Sequence, residues 1–215
     1  MTLPAIVRLA ARAAVTFSIT LAPLAIAHPS HAAPPAIPDE WFFDGANRPA
    51  VLKALEGKPA PTLETDAWIG AETSVAANKG KVVVVDFWAT WCGPCVGSFP
   101  KVAEMRSAYP ADKLEIIGVT SLQGTVAHQK RDPVDCQGDA AKEHAELMTF
   151  MKDMGVTWTV AVTKEDVFNS DFGIRGIPFI AILDQDGKVV KVGLHPESED
   201  EIRKTIDELL AKGAK

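Results

Sequence analysis

Two cysteines three positions apart, Cys92 and Cys95, carry the most distinctive chemistry in the sequence. They stand in the stretch FWATWCGPCVGSFP, where an apolar, strand-like run is followed by a predicted helix. A cysteine at a helix N-terminus faces unpaired backbone N–H groups and the positive end of the helix dipole, which favour thiolate over thiol. Cys92 is therefore the candidate nucleophile. Cys95, one turn inside the helix, is the candidate resolving thiol, because it can close a disulfide with Cys92 and release a bound partner.

An acid precedes the cysteine pair by six residues. Asp86 lies in a run so apolar that its side chain is expected to be buried beneath the start of the helix. Burial raises the pKa of a carboxyl group, so Asp86 could exchange protons with Cys95, directly or through water, near neutral pH. We predict that Asp86 is the general acid/base; the alternative is a structural acid satisfied by the backbone. Trp88 is expected to pack, and Trp91, next to the nucleophile, to shape the rim of the site.

A C-x-x-C motif has other uses in proteins, and the sequence disfavours each of them. Zinc needs about four ligands, and no second C-x-x-C or H-x-x-x-H follows in the chain. A purely structural disulfide across so small a ring would remove little entropy from the unfolded chain. A thiol peroxidase uses a lone peroxidatic cysteine in a different motif. The intervening Gly93 and Pro94 suit a helix start, because proline lacks an N–H and stiffens the first turn without losing a helical bond. Redox exchange is the favoured interpretation.

A second group of residues permits a different hypothesis, a periplasmic copper carrier. The pair Cys92 and Cys95 would bind Cu(I) with His144 or with a row of methionines, ligands that suit this soft ion. Methionines at helical spacing more often fill a core, and histidines near a helix start are more often solvated. The third cysteine, Cys136, could be a second resolving thiol or an intermolecular partner. We expect it instead to be an inert residue in a loop. The residues concerned are His128, Cys136, His144, Met148, Met151 and Met154.

The segments around these residues predict alternating strands and helices, followed by a hairpin and a last helix. The β-branched run at 81–89 lacks polar alternation, as in a strand buried on both faces. An Asp-Gly pair at 186–187 predicts the hairpin turn. The order β-α-β-α, a short strand, then β-β-α indicates an α/β fold with helices covering a sheet. The predicted segments are strands at 81–89, 113–121 and 157–163, helices at 93–108 and 140–154, a hairpin at 179–193 and a helix at 198–212.

The N-terminal region differs from the rest. Arg8 and Arg12 precede an apolar run that ends in small residues, so residues 1–32 are predicted to be a secretory signal. The run is about 15 residues long and contains Pro23, whereas a membrane span needs about 20 apolar residues, so an uncleaved anchor is the weaker option. Residues 33–56 are predicted to form a linker and a short helix, and residues 57–215 the folded domain.

Composition limits the remaining functions. The chain has 215 residues, 47% of them hydrophobic, which is enough for one ordinary core. Its net charge is -6, with acidic and basic residues mixed, so no cationic surface for nucleic acid is present. We expect a monomer with no nucleic-acid partner, no bound cofactor and no metal at the site.

Two motifs together resemble the signatures of the thioredoxin superfamily, and more narrowly of its exported TlpA-like, or redoxin, branch. They are VDFWATWCGPC and FGIRGIPFIAIL, and Pro100 stands at the family's helix-kinking position. The resemblance spans about residues 57–213. It implies a thioredoxin-like fold with a central mixed β-sheet flanked by helices, an N-terminal extension, and an insertion at about 122–139. It also implies a cis bond between Ile177 and Pro178.

The same resemblance implies a function and a partner class. It implies an exported thiol-disulfide oxidoreductase of the periplasm or extracytoplasmic space, which reduces disulfide-bearing proteins and is recharged by a membrane or extracytoplasmic electron donor. The Ile177 backbone would bind substrate polypeptide and Pro178 would pack on the disulfide. The substrate-binding set is Trp91, Gly93, Pro94, Ile177 and Pro178. One position departs from the pattern of the respiratory-assembly members, which often carry glutamate where this chain has Ser98. Their substrate, apocytochrome c, is therefore not inferred for this chain.

Overall fold

The fold is built on a mixed, six-stranded sheet, seen in a computed structural model that describes residues 49–213. The predicted signal at 1–32 and most of the predicted linker lie outside these residues. No helix in the described part of the chain has the length and apolar content of a membrane span.

The helices are α1 Ala50–Leu55, α2 Gly93–Ala108, α3 Ala140–Met154 and α4 Glu199–Gly213. The strands are β1 Thr65–Ile69, β2 Val82–Phe87, β3 Leu114–Ser121, β4 Thr125–Val126, β5 Val134–Asp135, β6 Thr159–Thr163, β7 Phe179–Leu183 and β8 Val189–Leu194.

The sheet has the strand order β1-β6-β3-β2-β7-β8, which places β2 and β3 at its centre. Strands β2, β3 and β6 run parallel to one another, while β1, β7 and β8 pair antiparallel with their neighbours. Every residue of β2 is buried. A β-branched run without polar alternation suits such a strand, because both of its faces meet packed side chains. The predicted α/β class and mixed sheet are confirmed.

Alternate residues of β2 enter two different cores, as the two-residue period of a strand requires. Val82 and Val84 join the core formed with α2, α3 and α4. Val83 and Val85 join a smaller core on the other face, which α1 and the loop before β7 help to cover. The helices therefore cover the sheet unevenly: all three long helices pack on the face that also receives Cys92 and Cys95.

The helix ends follow local signals in the sequence. Helix α3 begins after Asp139, whose carboxylate accepts a hydrogen bond from Lys142 N at 2.9 Å, and it ends at Gly155, which has a left-handed φ of 71°. Helix α2 begins after Cys92 and continues through Pro100. The predicted insertion at 122–139 contains the short β4–β5 hairpin and leads directly into α3.

Candidate active site

The cysteine pair lies where β2 ends and α2 begins. Cys92 is the N-cap residue of α2, and its sulfur forms a disulfide with Cys95 across a Cα–Cα distance of 5.3 Å. The Cys95 backbone N–H donates to Cys92 Sγ at 3.2 Å, so the helix start supplies a donor to this sulfur. The Cys92 residue is 4% exposed and Cys95 is fully buried. An incoming sulfur therefore meets Cys92 first.

A loop distant in sequence completes the surroundings of Cys92. The peptide bond between Ile177 and Pro178 is cis, as the resemblance implied. The Ile177 carbonyl oxygen lies 3.7 Å from Cys92 Sγ, although the two residues are 85 positions apart. Gly93 and Pro94 are exposed beside the disulfide. The structure thus brings the predicted nucleophile and the predicted peptide-binding loop together.

Asp86 is buried on the face of the sheet that carries the disulfide. Asp86 is 1% exposed. It lies on the same face of β2 as Val82 and Val84, which point into the core that contains Cys95. Neither carboxylate oxygen has a hydrogen-bond partner within the described chain. Burial raises the pKa of Asp86 from 3.8 to about 7. Within the described chain the backbone therefore does not satisfy this acid, and its role as general acid/base stays a prediction.

Two indole groups converge beside Asp86, a feature that sequence reasoning missed. Gly118 of β3 is the register partner of Asp86. A Cβ atom at Gly118 would lie 3.0 Å from the indole nitrogens of both Trp88 and Trp158. Neither indole N–H has a hydrogen-bond partner among the described residues. The absence of a side chain at Gly118 therefore leaves room for two polar N–H groups next to a buried carboxyl group.

The Redoxin family model matches residues 55–210. The chain belongs to the Redoxin family. HelX of Rhodobacter capsulatus, a thiol:disulfide interchange protein, is 31% identical over 80% of this chain and 86% of HelX. The thiol-disulfide oxidoreductase ResA of Bacillus thuringiensis is 25% identical over 68% of this chain and 73% of ResA.

A solved structure supports the fold of this redoxin. The crystal structure of the thioredoxin-like superfamily protein SPOA0173 matches with a TM-score of 0.55 at 22% identity, over 71% of this chain and 96% of that one. The thioredoxin-like fold is therefore confirmed. With the relatives above and the Cys92–Cys95 disulfide, it identifies this redoxin as a thiol-disulfide oxidoreductase.

The position that differs from the respiratory-assembly members carries a buried hydroxyl. Ser98 Oγ donates a hydrogen bond to the Cys95 carbonyl oxygen at 2.7 Å, and the residue is buried. In this redoxin the position one helical turn after Cys95 is therefore neutral. Asp86 is a buried acid on the same face of β2 as Val82 and Val84.

The insertion is tied to the active-site loop by hydrogen bonds. Thr90, two residues before Cys92, donates to the Gln123 side-chain oxygen at 3.2 Å and accepts from the Ala127 N–H at 3.1 Å. Buried Glu143 of α3 accepts hydrogen bonds from the backbone N–H of Gln123 and its neighbour. The start of the insertion is thus held against both the active-site loop and α3.

Cys136 and the methionines have structural surroundings. The Cys136 thiol is buried at 3.6 Å from the Val134 carbonyl oxygen, and burial raises the pKa of Cys136, which disfavours the reactive thiolate. Met148 is exposed, whereas Met151 is buried in the core. Met154 is partly buried against that core. The three methionines therefore do not share one environment.

The two histidines do not join the cysteine pair in a common cluster. The buried His128 ring lies 3.0 Å from Glu146 Oε2 and 2.9 Å from an Arg131 nitrogen. His144 lies on α3, and its Nε2 has no hydrogen-bond partner within the described chain. No group of three His, Cys, Asp or Glu side chains within residues 49–213 has metal-binding geometry. Among the residues that the structure describes, no observation favours the copper-carrier hypothesis over redox exchange.

Replacing Gly118 with alanine is expected to destabilise this redoxin by about 1–3 kcal/mol, because overpacking forces side chains from their positions. The added Cβ would lie 2.9 Å from Val160 Cγ2 as well as against the two indoles. Urea unfolding of the oxidised protein measures the change.

Gly97→Ala provides the matched control, since Gly97 lies in α2 and a Cβ atom added there would have nothing within 4 Å. Alanine is the better helix former, so this variant is expected to gain about 0.5–1 kcal/mol. Equal stability changes in the two variants would contradict the steric role of Gly118.

Proposed function

We propose that this redoxin is an exported reductase of disulfides in partner proteins. The observation that carries the proposal is the position of Cys92, which caps α2 beside the Ile177 carbonyl and forms the disulfide with buried Cys95. The helix start favours the thiolate of the reduced protein. The Gly-Pro spacer resembles that of the reducing members of the superfamily, which supports reduction as the net direction.

The reaction passes through a mixed disulfide. In the reduced protein, the Cys92 thiolate attacks one sulfur of the substrate disulfide. A bond forms between the two sulfurs, and the other substrate sulfur leaves as a thiolate that takes up a proton. Cys95, once deprotonated, attacks Cys92 Sγ, which forms the Cys92–Cys95 disulfide and releases the second substrate thiolate. The substrate gains two electrons, and the protein loses two.

Asp86 is proposed to accept the proton of the Cys95 thiol, directly or through water. Its pKa of about 7 lets the carboxyl group change protonation state near neutral pH. Burial is the cause of this pKa, and no charged neighbour contributes to the shift. A carboxyl group poised in this way can take up the proton when Cys95 attacks and return it in the reverse reaction.

The substrate is proposed to bind across the surface around Cys92. The Ile177 backbone would hydrogen-bond to an extended substrate segment, with Pro178 packed beside the disulfide. Trp91, Gly93 and Pro94 are exposed around the same sulfur and would form the rim. Because Cys92 is the outer cysteine, a segment bound there presents its disulfide to the nucleophile and not to Cys95.

Export is proposed from the first 32 residues, whose two arginines, apolar run and small-residue sites fit a secretory signal. An exported reductase is oxidised at each turnover and must be reduced again. A membrane or extracytoplasmic electron donor is therefore part of the proposal.

A redox titration of the Cys92–Cys95 pair tests the direction of the reaction. We expect a midpoint potential near about -270 mV, as in thioredoxin, and reduction of insulin disulfides by the reduced protein. Quantifying the free thiols by alkylation across a series of dithiol buffers gives the potential. A value near about -120 mV would contradict the reductase assignment and indicate an oxidase or isomerase.

A further inference from the structure

Two exposed aromatic rings lie side by side next to the redox disulfide. Trp91 is 53% exposed and Phe168 is 40% exposed. Their ring centroids are 6.2 Å apart, with an angle of 31° between the ring planes. Within residues 49–213, only Val51 and Met148 are comparably exposed large apolar side chains. Half of the exposed large apolar side chains in the described chain therefore form this one pair, which includes the residue that precedes Cys92.

The loop that carries Phe168 is held in place by hydrogen bonds. The Val167 N–H donates to Ser121 Oγ at 3.2 Å, and the Val167 side chain is buried in the smaller core. The Phe168 N–H donates to Asp166 Oδ1 at 2.9 Å. Buried Asn169 accepts two further backbone N–H groups from the residues that follow it. Phe168 thus points outward from a fixed segment between a buried valine and a buried asparagine.

The spacing of the rings determines the kind of surface they form. A centroid distance of 6.2 Å lies in the range of packed aromatic pairs and leaves no room for a side chain between the rings. Trp91 and Phe168 therefore form one continuous surface, which we call the aromatic platform. Trp91 directly precedes Cys92, so the platform adjoins the place where a substrate cysteine must arrive.

We propose that Phe168 is a specificity-determining residue, and that the aromatic platform binds an apolar side chain next to the attacked cysteine of the substrate polypeptide. The inference rests on the proposed function, because it needs a polypeptide disulfide at Cys92. Exposed, preorganised aromatic rings are the groups that most often dominate binding at interfaces. An apolar neighbour covers both rings, whereas a small polar neighbour leaves them in water.

Three cyclic disulfide peptides test this inference. They are identical except for the residue after each cysteine, which is Phe, Ser or Lys. The second-order rate constant for reduction of each peptide is measured with the reduced wild-type protein and three variants. Phe168→Ser removes the ring, and Phe168→Tyr retains it. Met148→Ser is the matched control, because Met148 is also 53% exposed but lies on α3.

We expect the wild-type protein to reduce the Phe peptide about tenfold faster than the Ser peptide, which is the effect of a typical aromatic contact at an interface. Phe168→Ser is expected to bring that ratio close to one, while Phe168→Tyr and Met148→Ser preserve it. The ratio separates binding of the neighbouring residue from a general change at the sulfur, which would alter all three rates together.

Survival of the ratio in Phe168→Ser, or an equal loss for all three peptides, would overturn the inference. A preference of the wild-type protein for the Lys peptide would also overturn it, since the rings would then act on a cation. Insulin provides the remaining comparison. If the reduced wild-type protein reduces neither insulin nor any of the three peptides, the proposed function itself fails.

Discussion

Replacing Cys92 with serine is expected to slow disulfide reduction by about a thousandfold or more. The thiolate is the attacking group, and a serine hydroxyl in the same place stays protonated at neutral pH. Insulin reduction by the pre-reduced variant, with dithiothreitol as the electron source, measures the loss.

Two further variants separate the roles of the three cysteines. In Cys95→Ser the first attack is retained but the second is lost, so a mixed disulfide with the substrate is expected to accumulate on Cys92 and to be visible on a non-reducing gel. Cys136→Ser should reduce insulin at the wild-type rate, because Cys136 is buried in the insertion. Accumulation of the mixed disulfide on Cys95 in Cys92→Ser would reverse the assignment of the nucleophile.

Replacing Asp86 with asparagine is expected to remove a large pH dependence from the stability of the oxidised protein. Burial raises the pKa of Asp86 from 3.8 to about 7, so the folded state favours the protonated carboxyl group. This favourable contribution is fully present below about pH 4 and is lost as the pH rises to 7. The free energy of unfolding should fall by about 1.4 kcal/mol per pH unit across this window, or about 4 kcal/mol in total.

Urea unfolding of the oxidised wild-type and Asp86→Asn proteins between pH 4 and 8 measures this difference. The oxidised form is used because its two active-site sulfurs do not titrate. Asp112→Asn is the control, since the Asp112 side chain is exposed and its replacement should leave the wild-type pH dependence unchanged. Identical pH profiles for the wild type and Asp86→Asn would show that Asp86 is not titrating in this range.

The same variant connects stability with catalysis. General acid/base groups typically contribute about a hundredfold or more to the rate of a proton-transfer step. Asp86→Asn should therefore resolve the mixed disulfide more slowly while its first attack remains close to the wild-type rate. A protein that gains stability at pH 8 and loses resolution would indicate that the buried acid is retained for its chemistry, because burial alone makes it unfavourable to the fold.

Local patterns in the sequence were enough to predict most elements of the fold. The apolar run at 81–89 contains β2, and the helix predicted at 93–108 has the observed bounds of α2. Gly155 ends α3 as predicted. These predictions succeed because they depend on neighbouring residues: β-branched runs, N-terminal caps and positive-φ glycines act over a few positions. The cysteine pair and Asp86 could be proposed as site residues for the same reason, since they lie on consecutive elements.

The features missing from the sequence-based predictions involve residues that are distant in the chain. The Trp158 indole lies against Gly118, the register partner of Asp86, only because β6 pairs with β3. Phe168 meets Trp91 because of the course of the loop after β6. The two-residue period of a strand predicts which side chains share a face, but strand order and register decide which of them touch. Those depend on how the whole sheet packs, so the sequence by itself determined the reactive sulfurs and the elements that carry them, and the tertiary structure decided what surrounds them.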